Sequence, residues 1–348
     1  MIRVLIVDDS AVARHYLSEV LDAAPGIRVV GYATNGEEAI EAVRRHKPDL
    51  VTMDITMPRM DGPTAIRNIM ETQPTPIIVV TGNEITEEVR ATFRSLESGA
   101  LALIPRPHGP SHPDFSAQAE HLVQTVRLMS EVKVVRRWNR TPSASSTAPT
   151  TLEVPRAMAP ARVVLIGAST GGPSAMKEIF AALPSSFPVP VVVVQHIASG
   201  FVEGFSMWLS DVAGRPVLQA RLGERLSPNT VYVAPEHMQL GFSSLGALWP
   251  QPPRAGDAFC PSVSFTFKAA ARAFGSSAVG VLLTGMGRDG SDGLLALRQA
   301  GALTIAQDEA SSIVFGMPAE AIRLRAAELV LPPERIASTL AALPFATP

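Results

Sequence analysis

The sequence predicts two doubly wound, parallel-sheet α/β domains joined by a flexible linker, and three observations predict them. Apolar, strand-like runs alternate with amphipathic helical runs in two separate stretches of the chain. Between those stretches lies a segment rich in Pro, Ser, Thr and Ala, with no apolar period, which is linker composition. At 348 residues the chain is also too long for one ordinary core. The expected organisation is a first domain over residues 1–130, a linker over 131–160 and a second domain over 161–348.

In the first domain the strand candidates are 2–7, 28–32, 50–53, 77–80 and 101–104. In a doubly wound sheet, ligands bind beyond the carboxyl ends of the strands. The residues there are Asp8 and Asp9, then Asp54, then Thr81, then Arg106. Taken singly, Asp8, Asp9 and Ser10 also read as a helix cap, and Asp54 as the start of a turn ending at Pro58. Together at strand ends they point to a site. Three converging carboxylates repel one another unless a cation joins them, and hard oxygen ligands suit Mg²⁺, with a phosphate completing its shell.

After helical spacing to about Val135, the run from Trp138 to Pro160 has the linker composition. A flexible coil of about 25 residues spans on the order of 25–30 Å, so the two domains can touch or separate.

The second domain opens on R-V-V-L-I-G-A-S-T-G-G-P-S-A, Arg162 to Ala175. A buried strand breaks into a glycine-rich turn, and Ser174, Met176, Ile179, Phe180 and Leu183 then keep helical spacing. Such a turn cradles a phosphate on a helix N-terminus, presents Ser169 as a nucleophile in G-x-S-x-G, or uses Ser169 only as a helix cap. Further strand candidates are 189–194, 231–233, 278–283 and 303–306, so a parallel sheet is again expected. Of seven histidines, His196 alone follows directly on a buried strand, which makes it the candidate base. Thr284 to Gly293, T-G-M-G-R-D-G-S-D-G, supplies the candidate acid Asp289. The division of labour is a base that takes the serine proton and a carboxylate that fixes the imidazole tautomer. Alternatives are His237 as base and Asp292 or Asp257 as acid. The chain order Ser, His, Asp differs from the α/β-hydrolase order and implies a separate fold.

Composition narrows the classes. Hydrophobic residues are 46% and charged residues 18%, with a formal charge of -2, which gives no general attraction to nucleic acid or anionic membrane. The single cysteine, Cys260, excludes an intrachain disulfide, fits a reducing compartment and is itself read as having no chemical role. The N-terminal apolar run is too short for a signal peptide, and no stretch reaches the roughly 20 apolar residues of a membrane span. A soluble, cytoplasmic protein is expected.

Asp8-Asp9-Ser10, D-I-T-M-P-R-M-D-G from Asp54 to Gly62, Thr81 and Arg106-Pro107 resemble the receiver domain of bacterial two-component response regulators. The resemblance implies that Asp54 accepts a phosphoryl group from a histidine kinase. It implies that Asp8, Asp9, Asp54 and the carbonyl of Thr56 hold Mg²⁺, and that Thr81 and Arg106 contact the phosphoryl group. Two departures lie on the response side. Arg106 stands in place of lysine, and a guanidinium is longer and planar. Leu103 stands where receivers usually carry a tyrosine or phenylalanine.

The second half is similar to the catalytic domain of the chemotaxis protein-glutamate methylesterases, the CheB family. The matching residues are Ile166 to Ser174, Val194-Gln195-His196-Ile197, Val233-Ala234-Pro235, Pro261-Ser262-Val263, Leu283 to Gly290, Ala300 to Ser311 and Val314 to Ala321. A receiver, a linker and this domain form that family's architecture. The resemblance implies a Ser169, His196, Asp289 triad, with Thr170 and the Met286 amide as oxyanion hole and no cofactor for the ester hydrolysis. It implies hydrolysis of glutamate methyl esters on methyl-accepting chemoreceptors with release of methanol, and deamidation of selected glutamines. It also implies a receiver that blocks the cleft until Asp54 is phosphorylated, and attachment to the membrane only through the receptors. Trp208 and Cys260 are read as surface positions where the family usually has arginine, which predicts weaker docking to an acidic receptor helix. The competing classes are a phospho-switched binding protein without catalysis and a DNA-binding regulator. The latter is disfavoured because the output half shows no helix-turn-helix pattern and no basic excess.

Overall fold

Five apolar runs form the first sheet because strands covered by helices on both faces must be apolar throughout. They are β1 (Ile2–Val7), β2 (Ile27–Ala33), β3 (Leu50–Met53), β4 (Ile77–Thr81) and β5 (Ala102–Pro105). In this computed structural model, residues 1–82, 93, 95–109, 111–132, 134 and 159–345 are described. The expected linker over 131–160 lies almost wholly outside them. All four strand pairings are parallel and the order is β2-β1-β3-β4-β5. Strand order reverses beside β1, and the register that sets Val7 against Met53 carries Asp8 and Asp54 out of the sheet side by side.

Local chemistry starts the helices around this sheet. Ser10 caps α1 (Ala11–Asp22) by accepting from the Ala13 amide, and Asn35 caps α2 (Gly36–His46) through the Glu38 amide. In α2, Glu37 and Glu38 occupy the first turn and Arg44, Arg45 and His46 the last, each sign opposing the local end of the helix dipole. Asp61 caps α3 (Gly62–Thr72), residues 95–98 are also helical, and α4 (Phe115–Ser130) follows β5.

The second sheet has seven strands in the order β14-β13-β12-β6-β7-β9-β8, all paired in parallel. Its centre is β6 (Val163–Ala168), β7 (Val191–Gln195) and β12 (Ala278–Leu282), flanked by β13 (Leu303–Gln307) and β9 (Val231–Val233). The edges, β8 (Val217–Gln219) and β14 (Leu329–Leu331), were not among the expected strands. Nor was the antiparallel hairpin of β10 (Gln239–Phe242) and β11 (Leu248–Gln251). From β6 the chain winds outward one way through β7, and from β12 it winds the other way, so the switch point lies between β6 and β12. Ligand sites of open α/β sheets form there.

The helices are α5 (Gly172–Ala182), α6 (Val202–Ala213), α7 (Val263–Phe274), α8 (Ser291–Gln299), α9 (Met317–Arg323) and α10 (Pro333–Ala341). One core cluster joins Val163, Leu165, Val192 and Val194 of the sheet to Leu240 and Leu248 of the hairpin and Val263 and Phe267 of α7. The surface reading of Trp208 is corrected here. It is only 2% exposed, packed beside Phe205 with ring centroids 5.9 Å apart, because α6 buries most of its length. Cys260 is partly buried and carries a free thiol. The chain divides into two units, residues 1–146 and 147–348. No helix among the described residues is long and apolar enough to cross a membrane.

Candidate active site and candidate phosphoryl-acceptor site

Ser169 stands one residue past β6, where the chain turns into α5 through Gly171, whose φ of +82° needs a glycine. Two contacts draw the end of β7 against this turn. The His196 amide donates to the Ala168 carbonyl (3.0 Å), and Gln195 Nε2 donates to the carbonyls of Ser169 (2.9 Å) and His196 (2.8 Å). The loop after β12 closes the other side. The Ser169 amide donates to the Thr284 carbonyl (3.1 Å), and Gly285 comes so near that an added Cβ would lie 2.7 Å from Ser169 Cβ.

Asp289 ends that loop, and its carboxylate accepts five hydrogen bonds. Oδ1 takes the Ser262 hydroxyl (2.9 Å) and the amides of Ser264 (3.0 Å) and Gly290 (2.9 Å). Oδ2 takes the Val263 amide (2.7 Å) and His196 Nε2 (2.9 Å). The Val263 and Ser264 amides begin α7, so the charge also faces the positive end of a helix. Burial works to raise this carboxyl, but the His196 imidazole and the Ser264 amide outweigh it and hold the group well below the usual carboxylate range. Asp289 is therefore ionised and oriented. Since it takes the proton on Nε2, the imidazole lone pair is on Nδ1. The His196 side chain is 18% exposed, and its ring is stacked on Phe259 at 5.1 Å between centroids and 5° between planes.

The alternatives fall elsewhere. His237 hydrogen-bonds Ser199 at 3.2 Å, Asp257 accepts from Gln239 and the Arg254 amide, and Asp292 pairs with Arg288 at 3.4 Å. Among the described residues the Ser169 hydroxyl makes no hydrogen bond, and the amides of Thr170 and Met286 donate to no group. Sequence reasoning missed Gln195, Phe259, Ser262 and Thr284. Gln195 adjoins His196 and Ser262 precedes a helical run, but nothing local marks any of them as touching the site.

In the first unit, carboxylate oxygens of Asp8, Asp9 and Asp54 lie within 4.8 Å of one another, with Asp8 and Asp54 buried and Asp9 exposed. Arg106 Nη2 lies 2.5 Å from Asp8 and 3.5 Å from Asp54. Arg106 reaches them because β5 runs beside β4, its amide donating to the Thr81 carbonyl (2.8 Å). Burial first, and the neighbouring Asp8 second, push the Asp54 carboxyl up to about 6 despite the Ile55 amide and Arg106. Burial also raises Asp8. Three hard oxygen donors crowded around a shared space, two of them withdrawn from water, fit a small divalent cation such as Mg²⁺. Thr56 is an exposed residue just past Asp54, Thr81 is buried at the end of β4, and Leu103 is partly exposed on β5.

A doubly wound domain with an acidic pocket at its switch point, followed by an α/β domain that gathers Ser169, His196 and Asp289 past the ends of β6, β7 and β12, defines a response regulator with a hydrolase-like output half. The comparisons with known proteins agree. Residues 164–340 match the CheB methylesterase family and residues 4–112 the response regulator receiver domain. A protein-glutamate methylesterase/protein-glutamine glutaminase of Nitrosospira multiformis is 50% identical over 344 residues, covering 98% of this chain and 96% of its own. One from Geobacter metallireducens is 50% identical over 348 residues, covering 99% of each. The crystal structure of the Thermotoga maritima CheB methylesterase catalytic domain superimposes with a TM-score of 0.51 at 35% identity, covering 53% of this chain and 98% of that one. The chain belongs to the CheB methylesterase family.

Proposed function

We propose that this chain hydrolyses glutamate methyl esters on chemoreceptors, releasing methanol, and deamidates receptor glutamines to glutamate, under control of phosphorylation at Asp54. The observation that carries the reading is the 2.9 Å contact between His196 Nε2 and a saturated, ionised Asp289, beside the turn that bears Ser169. With Nε2 committed, Nδ1 of His196 takes the Ser169 proton as Oγ attacks the side-chain carbonyl. Asp289 stabilises the resulting imidazolium. The amides of Thr170 and Met286 are the donors for the oxyanion. Collapse of the tetrahedral intermediate expels methanol, or ammonia from a glutamine, with the proton returned by His196. Water then cleaves the acyl-enzyme by the same base, and no cofactor enters these steps.

In the receiver half, Asp54 is the acceptor for a phosphoryl group from a chemotaxis histidine kinase. Asp8, Asp9, Asp54 and the Thr56 carbonyl would hold Mg²⁺, which when bound neutralises charge on the transferring phosphoryl group. Thr81 and Arg106 contact that group, and the Arg106 guanidinium offers a planar pair of donors where lysine would offer one point charge. Residues 1–130 then act as the switch, 131–160 as the tether and 161–348 as the esterase. The setting is cytoplasmic, with the membrane approached only through receptors.

The test is methanol release from methylated chemoreceptor membranes, with and without Mg²⁺ and a small phosphodonor, comparing wild type with Ser169→Ala. General-base and oxyanion contributions are each worth about 10² to 10⁴ in rate, so loss of the nucleophile is easily read. Release that needs Ser169 and rises with the phosphodonor supports the proposal. Equal release from both proteins overturns it.

A further inference from the structure

We infer that Thr284 is a positioning residue for this reaction, setting the spacing between the two walls that face Ser169; the inference rests on the hydrolase reading above. Thr284 is fully buried directly after Leu283 at the end of the β12 run, and every polar atom it has is engaged. Its carbonyl accepts from the Ser169 amide (3.1 Å), and its amide donates to Gln307 Oε1 (2.8 Å). Its hydroxyl oxygen lies 3.0 Å from the Thr170 carbonyl and 3.1 Å from the Val314 carbonyl, and accepts from the Val314 amide (2.9 Å).

That one hydroxyl joins three segments distant in sequence. The first carries Ser169 and Thr170. The second runs from Thr284 to Met286. The third is held to the second twice more, by the Gly285 amide on the Val314 carbonyl (3.0 Å) and the Met317 amide on the Gly285 carbonyl (2.9 Å). Gln307, itself fully buried, anchors the same knot to Ser311 by donating to its carbonyl (3.0 Å) and hydroxyl (3.1 Å). The proposed oxyanion donors, the Thr170 and Met286 amides, sit on different segments. Between Thr170 and Thr284 the chain is 114 residues long, so only lateral contacts fix their separation.

Oxyanion stabilisation depends on donors placed for the developing charge rather than for the ground-state carbonyl. A knot that loosens by a few tenths of an ångström therefore weakens transition-state binding while leaving the substrate's ground-state contacts alone. Thr284→Val removes the hydroxyl and keeps the side-chain volume. Thr284→Ser removes only the methyl group and keeps the bridge.

The experiment uses the full chain with phosphodonor and Mg²⁺, counts active sites by fluorophosphonate labelling, and measures kcat and KM for methanol release beside the melting temperature. Thr284→Val is expected to lower kcat per labelled site about 10- to 100-fold at unchanged KM, with labelling slowed in parallel. Thr284→Ser is expected to stay within about threefold of wild type. Should Thr284→Val not fold, Thr284→Cys, which keeps a weak donor and acceptor, is expected to fall between wild type and that loss. A variant without the hydroxyl, or with the thiol, whose kcat equals wild type while only its melting temperature drops makes Thr284 a packing residue and overturns the inference. Wild type that neither releases methanol nor labels overturns the hydrolase reading and this inference with it. An active wild type beside an unimpaired Thr284→Val overturns this inference alone.

Discussion

Asp289 gathers five donors, two of them the first amides of α7, and its charge is the counterpart of the proton on His196 Nε2. In Asp289→Asn the amide group can donate to Nε2, which moves the imidazole proton to Nδ1 and takes the lone pair from the atom proposed as base. Loss of about 10⁴ in kcat is expected from the wrong tautomer, with KM little changed. The same carboxylate also makes stability depend on pH. Its folded value lies below the ordinary one of about 3.9, so the unfolded chain binds the proton first as pH falls. The contribution is complete above about pH 4 and is lost as pH drops through the folded value. Melting temperature should therefore fall more steeply below pH 4 in wild type than in Asp289→Asn, as scanning calorimetry at stepped pH would read. Gly285 supplies a purely steric case, since a Cβ there would meet Met317 Sδ at 2.4 Å and Ser169 Cβ at 2.7 Å. Gly285→Ala should abolish fluorophosphonate labelling while the chain still folds. Ser169, His196 and Asp289 stood out as candidates because Ser169 and His196 directly follow apolar strand runs and Asp289 lies in the glycine-rich loop after another. Thr284, Gln195 and Phe259 did not, because their roles lie in contacts across long sequence separations that no local pattern records.

At the scale of elements, long apolar runs announced themselves and short ones did so only in part, β9 (V-Y-V) and β3 (L-V-T-M) among those that did. β6, β7, β12 and β13 are five or six residues of nearly unbroken Val, Ile, Leu and Ala, buried on both faces. By contrast β8 reads V-L-Q, β14 reads L-V-L, and the hairpin reads Q-L-G-F and L-W-P-Q, with a glycine in one strand and a proline in the other. Three or four residues carry little period, and Gly and Pro argue against a strand. Trp208 was misplaced for a different reason, since its surface placement rested on the arginine usual there in the family, whereas α6 buries Phe205, Trp208 and Leu209 together. The N-terminus of α7 shows an element built for two purposes. Ser262 caps it by accepting from the Phe265 amide (3.2 Å) and donates its own proton to Asp289 (2.9 Å). Ser262→Ala should cost about 1 kcal/mol for the cap, measured by urea denaturation, and should lower kcat as well because the carboxylate loses a donor. An ordinary cap would change only the first quantity.

For the whole molecule, the proposed switch converts charge at Asp54 into activity at Ser169, and the two sites lie in separate units. Phosphorylation replaces the single charge of the Asp54 carboxylate by a phosphoryl group carrying about two, with its acceptor oxygens, in a pocket that already holds Asp8 and Asp9. Arg106, now shared between Asp8 and Asp54, is a cation that can follow the new charge, so the acid pocket can pass its state to β5 and the segment beyond. The free energy needed is modest. A tenfold rise in the active population takes about 1.4 kcal/mol, and full reversal from 1:99 to 99:1 about 5.5 kcal/mol. Asp54→Asn should keep the Ser169-dependent basal rate and lose stimulation by the phosphodonor. Removal of residues 1–135 should give a rate above that of the unphosphorylated intact chain if the receiver restrains the esterase, and no higher than it if phosphorylation acts by recruiting substrate. Arg106→Lys then separates the cation's charge from its shape. Stimulation retained in that variant means that a point charge is enough, whereas stimulation lost, with phosphorylation of Asp54 still detected by intact mass, means that the planar guanidinium carries the signal out of the pocket.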